Sequence, residues 1–371
     1  MGFDRKTWME ASLMLAALLI ALLGALVNVA AWAAPAPAAP AASPSAASQE
    51  GADAVDPQQL QALQRAHRAV VGVQAMAVAD ASSAATLGRV RAGSGVVISD
   101  DGLVLTIGYL ILEADQVQLV LDDERRVPAR VVAYDVATGF GLLQALAPLK
   151  VAPVPLGSAG ALQVEEPLMM ASGPGGLRSD GGAIVGIAQL VSRRAFAGYW
   201  EYLIDGALFT APARADHSGA GLFNSRGELV GIGSLVVAQA LGDEAPSMPG
   251  NMFVPIDLLT PILPELRRAG MSAASKRAWL GLNCVELGGE LRVARVSTDS
   301  PADVAGLQPG DRILRIDGAS VKTLAALWQS LWQGGQPERD VQLDIVREGE
   351  AQRVTLHSVD RMKTLRRAQG I

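Results

Sequence analysis

Short apolar runs recur from residue 69 to residue 266, and they constrain this chain more than any other feature. AVVGVQAMAV, GSGVVIS, GLVLTIG, QVQLVL, PARVVAY, GFGLLQA, AIVGIAQLV, ELVGIGSLVV and NMFVPI follow one another, with turn signals such as SDDG and NSRG between them. The runs are short, rich in β-branched residues and bounded by Gly, Asp, Asn and Pro, which is the pattern of strands and tight turns. No helix-length periodic segment separates them, so the expectation is an all-β barrel or sandwich rather than βαβ units. Half the residues are hydrophobic and 18% are charged, so a sizeable core is available. Aromatics make up only 4%, which leaves Ala, Val, Leu and Gly to fill it.

A length of 371 residues suggests two or three domains. Residues 1–34 form a targeting segment. Ala11 to Ala34 carries no charge and is long enough to span a bilayer as a helix. Arg5 and Lys6 precede it, consistent with a cytoplasmic start, although Asp4 and Glu10 dilute the asymmetry. The alternative is a cleaved signal peptide, for which Ala31-Trp32-Ala33 is an acceptable site. The run exceeds the usual ~7–15 residues of a signal core, which favours the anchor. Both readings export the rest of the chain. Residues 35–58 are an Ala/Pro-rich tether. Residues 59–266 hold the β-rich domain, which opens on a helix near 58–68 and closes on a short helix interrupted by Pro261 and Pro264. A small-residue linker, 267–276, leads to a compact unit over 277–360 that mixes strands with two helices. The second helix places Leu324, Leu327, Trp328 and Leu331 at i, i+3, i+4 and i+7. A basic tail, 361–371, is expected to fray, and no internal repeat is visible.

Several function classes are set aside by composition. Net charge is −6, and no stretch combines dense Lys/Arg with aromatics, so nucleic acid is not an expected partner. Cys284 is the one cysteine, which excludes an internal disulfide and a cysteine metal cluster. It reads as a small buried hydrophobe. His67, His217 and His357 are too few and too scattered for a histidine metal site. No metal and no cofactor are expected.

Ser300 to Gly318 reads SPADVAGLQPGDRILRIDG, which resembles a PDZ domain over residues 277 to 360. The resemblance implies a loop whose backbone N–H groups receive a peptide's terminal carboxylate, and Leu280, Gly281 and Leu282 match it. Gly281 permits the nest geometry that turns amides toward an anion. A peptide would then add as a strand beside the loop. Leu324, Leu327 and Leu331 are candidates for the helical wall of the groove, with core packing as the competing role.

The β-rich domain resembles the HtrA/DegP-like trypsin-fold serine proteases of the bacterial envelope. Gly93 to Ile98, Gly221 to Asn224, Gly227 to Ile232 and Asn251 to Ile256 match that family's strands in order. The implied architecture is mainly β: a trypsin-like double β-barrel followed by a small α/β PDZ domain. The implied location is the periplasmic side of the inner membrane, and the family often forms trimers. At the positions of the catalytic triad this chain departs from the pattern. Tyr109 stands for the histidine, Gly139 for the aspartate, and only Ser218, in DHSGAGL, keeps its type. Asp216 stands where the family has the glycine whose N–H serves the oxyanion hole.

A serine hydroxyl is a poor nucleophile without a base. In the triad the histidine takes the proton and the aspartate holds its tautomer. An unperturbed tyrosine titrates near ~10 and is a phenol at neutral pH. A carboxylate at Asp216 opposes a developing oxyanion, and one carboxylate is not a metal site. His217 is adjacent to Ser218 in sequence, so its side chain is expected to point elsewhere. Two readings follow. One is a binding module that recognises peptide C-termini or unfolded segments as a scaffold or regulator. The other is a serine endopeptidase using Ser218 and an unorthodox base, drawn from His67 or His217.

Overall fold

The computed structural model describes residues 56–175 and 184–366. The anchor or signal segment, residues 35–55 of the tether and residues 367–371 of the tail lie outside the described residues. Helix α1, Pro57–Arg68, starts where its sequence dictates: Pro57 occupies the first turn and the Asp56 carboxylate accepts from Gln58 N–H. The helix packs on the first strand that follows it.

The apolar runs become strands β1 (Val70–Ala77), β2 (Val90–Val97), β3 (Leu103–Ile107), β4 (Ala114–Val120), β5 (Arg126–Tyr134) and β6 (Phe140–Ala145). These close into a barrel of order β1-β2-β3-β6-β5-β4. A second set follows: β7 (Pro167–Ser172), β8 (Ile184–Ala197), β9 (Leu203–Ala211), β10 (Gly221–Phe223), β11 (Leu229–Val237) and β12 (Gly250–Pro255). They close as β10-β11-β12-β9-β8-β7, which is the same connectivity repeated. Closure removes the sheet edges that would otherwise pair with other chains. The barrel cores are aliphatic, as the composition requires, with Phe140, Phe209, Phe223 and Phe253 as their largest buried side chains.

After β12 the chain makes a 3-10 turn, Ile256–Leu258, and then a short helix, Leu263–Ala269. Pro264 sits in the first turn of that helix, where a missing N–H breaks no bond. The linker expected over 267–276 is not free. Ser272 N–H and Ser275 Oγ donate to Asp135 Oδ1 at 3.1 and 2.5 Å, and both serines are buried. A small-residue stretch that reads as a linker in sequence is therefore pinned to the first barrel by one carboxylate.

The C-terminal unit opens on β13 (Ala278–Trp279), which pairs with β20 (Val359–Asp360). Its main sheet runs β14 (Leu282–Leu287), β15 (Glu290–Val296), β16 (Arg312–Ile316), β18 (Asp340–Arg347), β19 (Glu350–His357), with β17 (Ala319–Ser320) on β16. Ser300 caps the short helix Pro301–Val304, and Thr323 caps α2, Leu324–Gln333, each through its side-chain oxygen. Leu327, Trp328 and Leu331 are fully buried on one face of α2, as their spacing predicts. The tail expected to fray instead returns to the first barrel as far as residue 366. Arg366 N–H donates to Glu113 Oε1 at 2.8 Å, and its guanidinium pairs with Asp80 at 3.2 Å. The Glu113 carboxylate also accepts from Ser82 and Ser83, so it is a fixed anchoring point.

Candidate functional site

Ser218 lies in the loop between β9 and β10. Ser94 N–H on β2 donates to the Ser218 carbonyl at 2.8 Å, and Gly219 N–H donates to the Gly233 carbonyl at 2.9 Å. The turn is therefore held between the two barrels. Tyr109 arrives on a 3-10 turn, Gly108–Leu110, directly after β3. Its hydroxyl oxygen is 2.8 Å from Ser218 Oγ and 2.8 Å from the Ser234 carbonyl oxygen. A carbonyl only accepts, and a phenol has one proton to give. The Tyr109 hydroxyl accordingly donates to Ser234, and the Ser218 hydroxyl donates to the phenol oxygen. Burial pushes the Tyr109 phenol up to about 12. The group that faces the serine proton is thus a neutral phenol at neutral pH, with little tendency to take it.

Gly139 sits in the turn between β5 and β6, and its carbonyl accepts from Gly108 N–H at 2.7 Å, which places it beside the Tyr109 turn. Its φ is +80°, a backbone region that side chains resist. A Cβ there would stand 2.6 Å from the Tyr202 hydroxyl oxygen. Tyr202 is buried, donates to the Thr138 carbonyl at 2.8 Å, and has its phenol pushed up by burial. The space beside residue 139 is therefore filled from the β8–β9 hairpin. Asp135, four residues earlier, is committed elsewhere: it accepts from Thr138 N–H and Oγ1 at 3.0 and 2.7 Å as well as from Ser272 and Ser275.

The electrostatics at Asp216 differ from the expectation of an uncompensated charge. Arg214 donates to it from Nε at 3.1 Å and from Nη2 at 2.6 Å, and Ser172 Oγ adds a bond at 2.6 Å. Burial pushes this carboxyl up, but the Arg214 and Ser172 bonds outweigh it and hold it below the usual carboxylate range. Arg214 neutralises the carboxylate, so repulsion of an oxyanion is weaker than the sequence alone implies. His217 Nδ1 donates to the Arg214 carbonyl at 3.0 Å, and burial lowers its pKa. The hydrogen-bond partner of Ser218 Oγ is Tyr109, not this imidazole. His67 lies on α1.

In the C-terminal unit, the N–H groups of Leu280, Gly281 and Leu282 all donate to one oxygen, Glu201 Oε1, at 3.2, 2.9 and 3.1 Å. Gly281 has φ +83°, and a Cβ there would lie 2.2 Å from Ser300 Cβ, so the nest needs glycine. Burial pushes the Glu201 carboxyl above its ordinary range, with the loop amides pulling the other way. Leu327 and Leu331 are core residues, and Leu324 is partly buried against that core. The helix meets the groove through Trp328, whose Nε1–H donates to the Gly198 carbonyl at 2.9 Å. Cys284 is buried, as expected, and burial raises its thiol pKa.

Tyr202, Arg214 and Glu201 are neighbours of these sites that reading the sequence missed, and it placed Trp328 on its helix without its bond to Gly198. One signal was present: GYWEY clusters three aromatics in a chain where they are scarce, on a hairpin tip where such bulk needs a docking surface. Among the described residues, no group of His, Cys, Asp and Glu is arranged to hold a metal ion. No helix among them is long and apolar enough to cross a membrane.

Comparison with known proteins agrees with the domain order. A trypsin-like peptidase domain matches residues 93–232, and a PDZ domain matches residues 278–357. A probable periplasmic serine endoprotease, DegP-like, of Halomonas elongata is 29% identical over 276 residues, covering 71% of this chain and 55% of the relative. A protein of the same description from Pseudomonas putida strain W619 is 30% identical over 275 residues, covering 70% and 54%. The chain thus spans about half the length of the curated relatives it matches. A solved structure of a substituted form of the HtrA-type protease AlgW with a tripeptide gives a TM-score of 0.50 at 21% identity, covering 84% of this chain and 98% of that one. That likeness bears on the fold alone.

Proposed function

For a chain made of a trypsin-like peptidase domain and one PDZ domain, homologous to DegP-like/HtrA proteases, we propose a binding role in the bacterial envelope. In this reading the peptidase domain has a degenerate site. The PDZ domain binds peptide C-termini or unfolded segments, and the protein acts as a scaffold or regulator. It is exported, faces the periplasm, and is held at the inner membrane by residues 1–34, with trimer formation through the peptidase unit. The observation that carries the reading is the partner of Ser218 Oγ. That partner is a neutral phenol at 2.8 Å, while Tyr202 fills the space beside Gly139. Proton transfer to a base is worth about 10²–10⁴ in rate on its own. Losing the triad as a unit costs on the order of 10⁶ in kcat in the subtilisin example.

The curated relatives are described as serine endoproteases, and that favours a second reading in which Ser218 still cleaves protein with an unorthodox base. Casein degradation by the wild-type chain and by its Ser218→Ala variant separates the two. No cleavage by either supports the binding role. Cleavage by wild type that the variant loses makes Ser218 a working nucleophile and ends that role.

A further inference from the structure

The peptide groove of the C-terminal unit holds a segment of this same chain. Gly198 to Glu201, at the tip of the β8–β9 hairpin, lies along β14 in antiparallel direction. Trp200 bridges to Asn283, and Cys284 N–H donates to the Tyr199 carbonyl at 2.6 Å. On the opposite wall Trp328 Nε1–H donates to the Gly198 carbonyl. The segment ends at the nest, where three amides converge on the Glu201 carboxylate at 2.9–3.2 Å. Strand addition, a backbone donor pattern and a terminal carboxylate in a nest are the elements by which such a groove takes an extended peptide. Here the carboxylate belongs to a side chain in mid-sequence.

We infer that Gly198–Glu201 is an internal ligand of the PDZ groove, with Glu201 standing in for a C-terminal carboxylate. An external peptide with a free carboxyl end binds only by displacing it. The inference rests on the reading of this unit as a peptide binder, and it adds the state in which the unit waits. Tethering makes the internal ligand a strong competitor, since a short connection gives an effective concentration on the order of mM. The apparent affinity for an outside peptide then falls by the fraction of chains whose groove is open. The occupant also indicates the competitor's chemistry: aromatic residues one and two places before a carboxylate.

The test uses the full chain in detergent, as wild type, Glu201→Gln and Glu201→Ala. The probe is a fluorescein-labelled decapeptide ending in Gly-Tyr-Trp-Val, as the free acid and as the C-terminal amide. Amide hydrogen exchange of residues 279–285 is followed without peptide, with residues 340–357 of the same sheet as the internal control. The expected result is faster exchange over 279–285 in Glu201→Ala, none over 340–357, and free-acid binding about ten-fold tighter in both variants than in wild type. The amidated peptide is expected to bind none of them. Unchanged exchange over 279–285, or equal affinity in wild type and variants, overturns the internal ligand and leaves peptide binding standing. Faster exchange with no binding of either peptide keeps the internal ligand and removes the reading that this groove takes C-termini.

Discussion

The surroundings of Ser218 and those of Gly281 differ in the kind of group that lines each. Around Ser218 side chains set the chemistry: a phenol faces the hydroxyl, and Tyr202 stands beside Gly139. Around Gly281 backbone groups set it: three amides converge on the Glu201 carboxylate. The contrast follows from the two kinds of interaction. Proton transfer depends on one side chain of the right pKa at one place, so a single substitution removes it. Strand addition and nest binding use backbone N–H and C=O groups, which survive most substitutions. One hairpin reaches both regions: Glu201 enters the groove, and the next residue, Tyr202, fills the space at Gly139. Trp200 stacks on Tyr202 at 5.5 Å between ring centroids, which ties the two ends of that short stretch together.

The comparison is sharpened first by taking away the groove's wall. Trp328→Ala removes the largest fully buried side chain, and a buried Trp→Ala change costs about 3–5 kcal/mol. Calorimetry is expected to show an early transition for the C-terminal unit and to leave the barrels melting as before. A single unshifted transition counts against Trp328 as a core residue.

Placing an acid at residue 139 is the next largest change. Gly139→Asp places a side chain at φ +80° and against Tyr202. The backbone term is about 1–2 kcal/mol, and the overpacking adds about 1–3 kcal/mol. Combined with Tyr109→His, the substitution is expected to lower Tm and to leave casein intact. Cleavage by the double variant means that Tyr202 does not block this position.

Asp135→Asn is expected to cost about 2 kcal/mol, because a buried carboxylate then gives up charged hydrogen bonds. Burial pushes the Asp135 carboxyl up, but the bonds from Ser272, Ser275 and Thr138 outweigh it and hold it below its ordinary value. A depressed carboxyl contributes stability above its unfolded pKa, near ~4, and loses it as pH falls through the folded value. Denaturant titrations below pH 4 should therefore bring wild type and variant together. A constant gap across that range speaks against Asp135 as the ionised anchor of 267–276.

The smallest expected effect is at Ser218 itself. Ser218→Ala removes one hydrogen bond to a phenol that keeps its bond to Ser234, so stability should shift by no more than about 1 kcal/mol. A larger loss shows the serine to be a structural support of the turn.

Much of the architecture was legible in the sequence because strand, turn and cap signals are local. The short β-branched runs became the strands of both barrels, and the i, i+3, i+4, i+7 spacing put Leu327, Trp328 and Leu331 on one buried face. Motif order pointed to Ser218 and Tyr109, and the structure brings their hydroxyl oxygens to 2.8 Å; the resemblance of the 280–282 loop pointed to Gly281, whose N–H donates to Glu201. Other features depend on residues far apart in the chain. No repeat is visible in sequence, yet the two barrels share one connectivity, built from different side chains. The linker and the tail look free until Asp135 and Glu113 fix them. The neighbours that decide the chemistry, Tyr202 at Gly139 and Glu201 at Gly281, lie more than sixty positions away. Periodicity fixes which face of an element is buried, but only closure of the barrels and docking of the hairpin determine which side chain fills a given space.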